Sequence, residues 1–478
     1  MAEKLLLINP PSPFLADEKV FPSLGMGYVL SALEKIGHNV DYIDMAGKSE
    51  GDINSQLDGI GRYHTVGLTA TSPQFSNAYN ILERIKSNDS SQRVVIGGSH
   101  AAMVSALRRK KLSEGMLEMN LYGYDPNFAP LERFDAVVDG EAEANPQMIL
   151  DGKGWVTTGI NSQMDSTPFP DREVLGLENY AYSIDGQNAT SIITQRGCPF
   201  KCLFCSGRDS DMYRNVRFGG SFRGYSPGKL LDEMDSINER WGISAFMIYD
   251  DEFNLLPDRT LEICEALEER DYTLRGFVKS ELWVKRPDVA EAMKKAGFVE
   301  LLTGVESGSE RILKDWVRKN TTPKINLEAR NLAKDLGIRF KALTMVGHPD
   351  ETEEDAMKTL EWILEAKPDD FDVTIHQPYP GSPIYNGMKP TEDMPGFEFS
   401  FEDVLFFNKI DYSQETAFYK GVPGEYEAFI RTRELSPEDF VRLRDKIDNV
   451  ARKELGLETI TRKQHEHTMG QGSITTKK

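Results

Sequence analysis

Cysteine is scarce in this chain of 478 residues: there are four, and three of them lie close together in the sequence. A chain of this length with so few cysteines is not built on a disulfide framework. There is also no apolar run of about 18 residues, so no membrane-spanning helix is expected. Basic residues are outnumbered, with 56 Lys and Arg against 76 Asp and Glu and a net charge of −20. A surface of that sign repels phosphate backbones and disfavours nucleic-acid binding.

The clustered cysteines are Cys198, Cys202 and Cys205, in C-x3-C-x2-C spacing. Iron–sulfur clusters are normally held by four thiolates, so three cysteines leave one iron open to a small molecule. Zinc would need a second Cys or His pair nearby, and the next histidine is as distant as His348. Cys264 lies in a helical apolar pattern typical of a small buried hydrophobe. The spacing therefore predicts a [4Fe–4S] cluster with an open iron, and redox or radical chemistry.

The first 150 residues alternate between strand-like and helix-like segments, which predicts a parallel sheet with helices on both faces. The predicted strands are 4–9, 39–44, 65–71, 93–97 and 136–140, and the predicted helices are 24–37 and 76–86. Ligands of such sheets bind at the carboxyl ends of the strands, here the loops at 9–11, 69–72, 97–100 and 140–141. Each loop alone is explained by turn chemistry, but four small-residue loops at one edge favour a ligand. No G-x-G-x-x-G follows the first strand, so the dinucleotide signature is missing.

Residues 151–190 are rich in Asp, Pro and Gly and are interpreted as a linker. A second strand–helix series follows, which predicts a partial or closed barrel with its chemistry at the carboxyl-terminal mouth. Its predicted strands lie near 190–195, 245–250, 274–279, 300–305, 340–346 and 371–376, and its helices at 227–241, 258–270, 287–296, 325–336 and 353–365. The cysteine run follows the first of these strands. A last helix is predicted at 436–455, with Ser436 as its N-cap.

Several of these segments match a known family. The chain resembles the cobalamin-dependent radical S-adenosylmethionine (SAM) enzymes, also called class B radical SAM methylases, over about residues 4–390. The matching segments are the cysteine run 196–205, 304–309, 345–352 and 377–383, together with 22–28 and 95–101 in the first domain. The Asp-x-His-x-x-Gly motif of the classical cobalamin fold is absent, which fits a family that holds cobalamin without a dedicated axial histidine.

The resemblance implies an N-terminal Rossmann-like α/β domain that binds cobalamin, 1–150, and a linker, 151–188. It further implies a partial (β/α)6 TIM-like radical SAM barrel with the cluster, 189–390, and an α-rich capping segment, 391–460. The polar tail 461–478 is expected to be disordered. The N-terminus lacks the features of a signal peptide, so a cytoplasmic location is expected.

The resemblance also assigns the site residues. Cys198, Cys202 and Cys205 would bind the cluster, SAM would bind the open iron, and Tyr379 would line the substrate pocket. The cobalamin contacts would be Asn9, Pro10, Leu24, Gly25, Thr71, Ser72, Gly97, Gly98, Ser99, His100, Gly140 and Glu141. The SAM contacts would be Phe204, Asp250, Asp251, Glu252, Lys279, Glu306, Ser307 and Val346.

Local structural roles compete with several of these assignments. The acids at 250–252 would suit the SAM ammonium or equally the N-terminus of a helix. Lys279 would pair with the SAM carboxylate or form a surface ion pair, and Tyr379 would line the pocket or only pack there. His100 would approach the corrin or bond to a neighbouring loop.

The function implied is transfer of a methyl group from SAM, through methylcobalamin and a 5′-deoxyadenosyl radical, to an unactivated carbon or a phosphorus of a small molecule. An electron donor such as flavodoxin or ferredoxin is the expected partner. The alternatives are a cobalamin radical enzyme that forms or rearranges rings without methyl transfer, and a cobalamin-binding sensor module that leaves the cysteines unexplained. Methylthiotransfer is rejected because residues 1–197 contain no cysteine. The long stretch 105–133, with a basic run at 108–111, is either a solvated insertion or a cover over cobalamin or substrate.

Overall fold

The computed structural model describes residues 3–12, 18–206, 223–415 and 427–458. These residues divide into two compact units. The first unit contains the chain up to Ala181 and returns for residues 409–415, and the second contains the rest of the described chain from Tyr182 onward. The tail 461–478, whose disorder was predicted, lies outside the described residues, as do residues 416–426 and 459–460 of the predicted capping segment 391–460.

The first unit is an open sheet of six parallel strands in the order β2-β1-β3-β4-β5-β6. These strands are β1 (Lys4–Asn9), β2 (Asn39–Asp44), β3 (Thr65–Thr69), β4 (Arg93–Gly97), β5 (Ala136–Gly140) and β6 (Gly154–Gly159). The central strands are near-continuous apolar runs, as expected for a sheet covered on both faces. The predicted Rossmann-like architecture is confirmed.

Seven helices accompany this sheet: α1 (Leu24–Lys35), α2 (Glu50–Leu57), α3 (Phe75–Asn88), α4 (Ser99–Ser113), α5 (Glu118–Tyr124), α6 (Phe128–Leu131) and α7 (Gln147–Asp151). Short 3₁₀ turns lie at Ile60–Arg62, Ser72–Gln74, Ala142–Ala144, Met164–Ser166 and Leu177–Asn179. The stretch 105–133 is therefore the end of α4 followed by α5 and α6. Its buried residues include Leu121 and Phe128, so it is a packed part of the first unit.

Strand β6 lies inside the segment that the sequence suggested to be a linker. It is bounded by Gly154 and Gly159 and pairs in parallel with β5. Its residues are mostly exposed or half-buried, as is common at a sheet edge. Because Asp, Pro and Gly surround this short edge strand, the composition of the segment predicted a linker and not a strand.

The second unit is built on a sheet of seven strands in the order β15-β14-β13-β12-β11-β8-β7. Its strands, with the small β9·β10 pair, are β7 (Tyr182–Ile184), β8 (Gln187–Ile192), β9 (Gln195–Arg196), β10 (Arg223–Gly224), β11 (Ala245–Ile248), β12 (Thr273–Phe277), β13 (Phe298–Glu306), β14 (Arg339–Val346) and β15 (Asp370–Ile375). Six strands run parallel in chain order, and β7 adds antiparallel to β8. This curled half-barrel confirms the predicted partial (β/α)6 fold.

The helices of the second unit follow its strands. They are α8 (Pro227–Trp241), α9 (Pro257–Leu267), α10 (Ser280–Lys285), α11 (Pro287–Lys295), α12 (Glu310–Ile312) with a π-helical turn at Leu313–Val317, α13 (Pro323–Asp335), α14 (Glu353–Ala366), α15 (Pro383–Asn386) and α16 (Pro437–Leu455). The start of α16 is fixed by a capping box between Ser436 and Asp439, which satisfies amides that have no partner inside the helix. Gly456 ends it in a left-handed conformation.

The C-terminal part of the second unit holds an antiparallel sheet in addition to α16. Its strands are β16 (Lys389–Pro390), β17 (Phe399–Phe401), β18 (Leu405–Phe407) and β19 (Ile430–Thr432). Aromatic residues are favoured in strands, and β17 and β18 contain Phe399, Phe401, Phe406 and Phe407. This segment is therefore mixed rather than helical alone. No helix within the described ranges is long and apolar enough to cross a membrane.

Candidate active site

At the carboxyl ends of β1 and β2, one carboxylate organises the loops. Asp44 accepts hydrogen bonds from Asn9 Nδ2 at 2.9 Å, from Tyr180 and from Lys19. Burial alone would raise the pKa of Asp44, but these three donors together hold it below its usual value. Asn9, predicted to touch cobalamin, therefore fixes the loop after β1 against the end of β2.

The loop after β1 is also fastened to the segment after β3. Gln74 Nε2 donates to the carbonyl of Pro10 at 3.1 Å, and Asn77 Nδ2 donates to the carbonyl of Pro11 at 3.1 Å. Thr71 forms a capping box with Gln74. Two of the four predicted binding loops thus form one continuous edge.

Two glycines bring the backbones of neighbouring loops into contact at this edge. Gly98 has φ +91°, and a Cβ there would lie 2.7 Å from the carbonyl oxygen of Ala70. Gly140 has φ +100°, and a Cβ there would lie 2.6 Å from the carbonyl oxygen of Gly159. Side chains rarely adopt this conformation, so both positions favour glycine. Neighbouring loops therefore meet backbone to backbone at these two points of the edge.

His100 is fully buried behind this edge at the start of α4. Its Nδ1 lies 3.0 Å from Ser72 Oγ, and its ring stacks on Phe75 with centroids 4.1 Å apart. Burial lowers the pKa of His100 to about 3, so the ring is neutral. Its Nε2 is buried without a hydrogen-bond partner. One nitrogen of His100 thus bonds to a neighbouring loop, and the contact of the other nitrogen with a ligand stays a prediction.

The remaining predicted cobalamin contacts differ in exposure. Glu141 is buried, and its Oε2 accepts from the amide of Asn161 at 2.8 Å. Leu24 is buried in α1, whereas Gly25 is exposed with open space around it. Ser99 is exposed at the first position of α4, and Gly97 ends β4. Their contacts with a ligand stay predictions.

In the second unit, two carboxylates hold the approach to the cysteine run. Asp250 accepts from the amide of Thr194 at 2.6 Å and from the amide of Gln195 at 3.0 Å. Asp251 accepts from the amide of Gly197 at 2.9 Å, next to Cys198. Burial raises the pKa of Asp250 to about 6, although its hydrogen bonds with Thr194 and Gln195 lower it. In this structure both acids bind the backbone that leads into the cluster loop.

The far end of the cysteine run is fastened as well. The amide of Leu203 donates to the carbonyl of Val317 at 3.3 Å, and its carbonyl accepts from the amide of Ile384 at 3.2 Å. Phe204 packs against the apolar cluster of Ile312, Leu313 and Val317. The loop is thus held at both ends by the half-barrel.

A buried ammonium that the sequence reasoning missed lies at the centre of this region. Lys319 Nζ is 3.0 Å from Glu306 Oε1, 3.8 Å from Glu252 Oε1 and 2.9 Å from the carbonyl oxygen of Gly304. A Cβ on Gly304 would lie 2.3 Å from this Nζ, so a side chain at this position would displace the ammonium. Burial raises the pKa of Glu252 to about 7, and the nearby charges of Lys319 and Lys279 lower it.

Lys279 is wholly buried and contacts three groups. Its Nζ lies 2.6 Å from Glu281 Oε1, donates to the carbonyl of Lys319 at 2.6 Å and sits 3.8 Å over the ring of Phe200. Phe200 belongs to the cysteine run, so Lys279 connects that run to the Lys319 network. It is not a surface ion pair, which removes one of the two roles considered for it.

The turn after β13 is compact. Glu306 has φ +62° and follows a bulge in the strand pairing. Ser307 is fully buried, and its Oγ accepts from the amide of Ser309 at 3.1 Å. A Cβ on Gly308 would lie 2.1 Å from the carbonyl oxygen of Lys358. This tight turn fixes Glu306 beside Lys319.

Two histidines that the sequence reasoning did not single out lie buried at the ends of β14 and β15. His376 Nδ1 is 3.1 Å from the carbonyl oxygen of Gly347, and the rings of His348 and His376 stack with centroids 6.2 Å apart. Burial lowers their pKa values to about 4 and about 3, so both rings are neutral. Because Nδ1 of His376 must donate to the carbonyl, its Nε2 carries a lone pair. Both Nε2 atoms are buried without a partner.

Glu351 closes the same turn. Its Oε2 accepts from the amides of Gly347 and His348. Burial raises the pKa of Glu351 to about 8. Val346, a predicted SAM contact, is fully buried at the end of β14. Tyr379 lies half-buried after β15, and its carbonyl accepts from Ser382.

The cysteines themselves form no disulfide. Burial raises the pKa of Cys198 to about 12 and that of Cys202 to about 11, while Cys205 is exposed. Among the residues that the structure describes, no three Cys, His, Asp or Glu side chains are gathered to hold a metal ion. The donor chemistry still fits an iron–sulfur cluster: three thiols stand on one loop fastened at both ends, and a bound metal deprotonates a coordinating thiol outright.

Comparison with known proteins places both units in families. Residues 192–363 match the Radical SAM superfamily, and residues 17–116 match the B12 binding domain. An uncharacterized methyltransferase of Pyrococcus horikoshii is 27% identical over 409 residues, which is 80% of this chain and 82% of that protein. The anaerobic magnesium-protoporphyrin IX monomethyl ester cyclase of Rubrivivax gelatinosus is 26% identical over 347 residues, 70% of this chain and 60% of that protein.

A solved structure shows the same fold. The radical S-adenosylmethionine methyltransferase TsrM from Kitasatospora setae, with cobalamin and a [4Fe–4S] cluster bound, aligns with a TM-score of 0.56 at 16% identity. The alignment covers 83% of this chain and 82% of that chain. The half-barrel and the open sheet define the chain as a radical SAM enzyme with a B12-binding domain. The cofactors that these two matched domains imply are a [4Fe–4S] cluster, SAM and cobalamin.

Proposed function

We propose that this enzyme methylates an unactivated carbon or a phosphorus centre of a small-molecule substrate, and that the residues described above hold its cofactors. The observation that carries the proposal is the cysteine run, whose entry is held by Asp250 and Asp251 and whose exit is held at Leu203. A loop fastened in this way keeps three thiols in place while one iron stays open to SAM. When bound, the cluster and SAM supply the radical chemistry, and cobalamin supplies the methyl group.

Within this proposal, the Lys319 network receives the amino-acid end of SAM. Glu306 and Glu252 present carboxylates suited to an ammonium group, and Lys319 and Lys279 present cations suited to a carboxylate. All four are buried or half-buried, so water competes little for them. The network therefore orients a zwitterion beside the loop that carries Cys202.

The proposed substrate pocket lies at the carboxyl ends of β14 and β15. Tyr379, His348 and His376 supply its polar wall, and because the two rings are neutral they offer lone pairs rather than charge. Such a wall suits an uncharged hydroxyl or N–H group of a small molecule. The proposal also includes an electron donor such as flavodoxin or ferredoxin, and a cytoplasmic location, because a reducing compartment preserves thiolate ligands.

The test replaces Cys202 by Ala and uses Cys264→Ala as the matched control, since Cys264 is buried in α9 away from the loop. After anaerobic reconstitution, Cys202→Ala should lose most cluster iron and all formation of 5′-deoxyadenosine, while Cys264→Ala should retain both. Cobalamin content should be equal in the two variants. Formation of 5′-deoxyadenosine by Cys202→Ala at the wild-type rate would refute the radical SAM assignment of this loop.

A second candidate function, ring formation without methyl transfer, is favoured by the similarity to the cyclase of Rubrivivax gelatinosus. The two functions differ in how they consume SAM. A methylase that contains reduced cobalamin should form S-adenosylhomocysteine from SAM as the cobalamin is methylated. A cyclase should form 5′-deoxyadenosine without S-adenosylhomocysteine, and that outcome would replace methyl transfer as our conclusion.

A further inference from the structure

We propose that residues 409–415, here called the C-terminal strap, belong to the cobalamin site, and that Tyr412 of this strap is a positioning residue for His100. The inference rests on the proposed cobalamin role of the first unit and goes beyond it, because nothing in the sequence motifs assigns a role to the strap. It also gives a role to the stretch 105–133, as the platform on which the strap is held.

The strap leaves the C-terminal part of the chain and packs as part of the first unit. Asn127 lies just before α6 and is fully buried. Its side-chain amide forms two hydrogen bonds with the backbone of the strap. Its Nδ2 donates to the carbonyl of Ile410 at 2.9 Å, and its Oδ1 accepts from the amide of Tyr412 at 3.1 Å. One side-chain amide thus reproduces the hydrogen bonds of a short strand pair. Its orientation is fixed by Asp125, which accepts from both Asn127 nitrogens.

A second attachment lies one residue before Ile410. Lys409 Nζ donates to the carbonyl of Tyr124 and sits 3.7 Å from the centre of the same residue's ring. Lys111, which belongs to the basic run 108–111, lies over the same ring, with its Nζ 4.9 Å from the ring centre of Tyr124. A cation over an aromatic face is attracted by the negative face of the ring. At least one residue of the basic run therefore packs inside the first unit, where it contacts the tyrosine that binds the strap.

These attachments place Tyr412 directly against His100. Tyr412 is fully buried, and its ring meets the His100 ring edge-on with centroids 5.5 Å apart. His100 is then enclosed by three residues: Phe75 on its face, Ser72 at Nδ1 and Tyr412 at its edge. The unpartnered atom that remains is Nε2. The strap thereby sets the position of a neutral nitrogen that can bond to an amide or hydroxyl group of the bound cobalamin.

The experiment titrates hydroxocobalamin into the full-length, anaerobically reconstituted protein and records both the dissociation constant and the visible spectrum of the bound form. The variants are Asn127→Ala, Tyr412→Ala and Tyr412→Phe. The control is Tyr122→Phe, an exposed tyrosine on α5 that does not touch the strap. Denaturant unfolding followed by circular dichroism reports whether the first unit of each variant folds, and cluster iron reports whether the second unit is intact.

We expect Asn127→Ala and Tyr412→Ala to weaken hydroxocobalamin binding at least tenfold and to change the bound spectrum, with iron content unchanged. Tyr412→Phe and Tyr122→Phe should bind as the wild type does, because the ring of residue 412 is kept in the first and the strap is untouched in the second. A double-mutant cycle between Tyr412→Ala and His100→Ala should be non-additive, since the first residue acts through the second.

Binding within twofold of the wild type in both Asn127→Ala and Tyr412→Ala would overturn the inference, as would additive effects in the cycle. If the wild-type protein itself did not bind hydroxocobalamin, the proposed cobalamin role would fail and this inference with it. If Tyr412→Ala fails to fold, Asn127→Asp replaces it. This variant loses the donor to Ile410 and to Asp125 and sets a second buried carboxylate beside Asp125, so it should weaken binding at least tenfold, and wild-type binding by it would count against the inference.

Discussion

Replacing Lys319 by Met should destabilise the second unit by about 3–5 kcal/mol, the usual effect of removing one partner from a buried ion pair. Lys319 Nζ contacts Glu306 at 3.0 Å, Glu252 at 3.8 Å and the carbonyl oxygen of Gly304 at 2.9 Å. Methionine keeps the unbranched stem and its packing. The change therefore removes the charge and leaves two carboxylates beside each other without a cation from this position.

At acidic pH, the loss of unfolding free energy in Lys319→Met should lie near the lower end of that range. Burial already raises the pKa of Glu252 to about 7, and the charge of Lys319 opposes that rise. Without Lys319 the pKa of Glu252 should be higher still, so this carboxyl would be neutral at pH 6 and would not repel Glu306. As the pH rises to 8, more negative charge must be accommodated, so the destabilisation should grow with pH.

The assay is denaturant unfolding at pH 6 and pH 8, with retained cluster iron as a second readout. Lys324→Met is the matched control, because Lys324 is 84% exposed and its pair with Glu328 spans 3.9 Å; surface changes of this kind usually stay within about 0.5 kcal/mol. A loss of less than about 1 kcal/mol in Lys319→Met, or a larger loss at pH 6 than at pH 8, would contradict the reasoning about a buried, compensated network.

Two further predictions concern the backbone edge and the turn after β14. Gly98→Ala should destabilise the first unit by about 1–3 kcal/mol and weaken hydroxocobalamin binding, because its Cβ would lie 2.7 Å from the carbonyl oxygen of Ala70 at φ +91°. Gly61→Ala, in open space within the turn Ile60–Arg62, should do neither, and equal unfolding midpoints for the two variants would refute this. Glu351, whose folded pKa of about 8 exceeds its ordinary 4.5, should make stability fall as pH rises from about 4.5 to 8, since the folded state then binds the extra proton. Glu351→Gln should flatten that fall in thermal unfolding at pH 5.5 and 8.5, and an unchanged slope would show that Glu351 is ionised in the fold.

Much of the fold could be predicted from periodicity, because both units are parallel sheets whose buried strands are short apolar runs between helices. Every strand of the first sheet except β6 was predicted, and so were the six parallel strands of the half-barrel. The return of residues 409–415 to the first unit was not predictable, because its attachments join residues about 280 positions apart in the chain. They are the hydrogen bonds of Asn127 with the strap backbone and the contact of Lys409 with Tyr124.

Site residues could be predicted where their spacing along the sequence indicates the chemistry. They could not be predicted where their role depends on how the folded chain packs. The cysteine spacing pointed to the cluster loop directly. The acids at 250–252 carried two interpretations of equal weight, and the structure shows a third use, since Asp250 and Asp251 accept amides of the strand end that leads into the loop. Lys319 carried no signal, because a lysine between Arg318 and Asn320 looks exposed until the left-handed turn at both neighbours buries it.

The two units differ in the groups that they would present to their proposed cofactors. Under the proposed function, cobalamin would meet an edge of the first unit where loop backbones approach each other at Gly98 and Gly140. SAM would meet fixed charges, because the second unit places Lys319 and Glu306 in a buried turn with little access to water. The same reasoning explains why substitutions should separate the two functions. A Cβ at Gly98 should affect cobalamin and leave the cluster, whereas a charge lost at residue 319 should affect the cluster region and leave cobalamin.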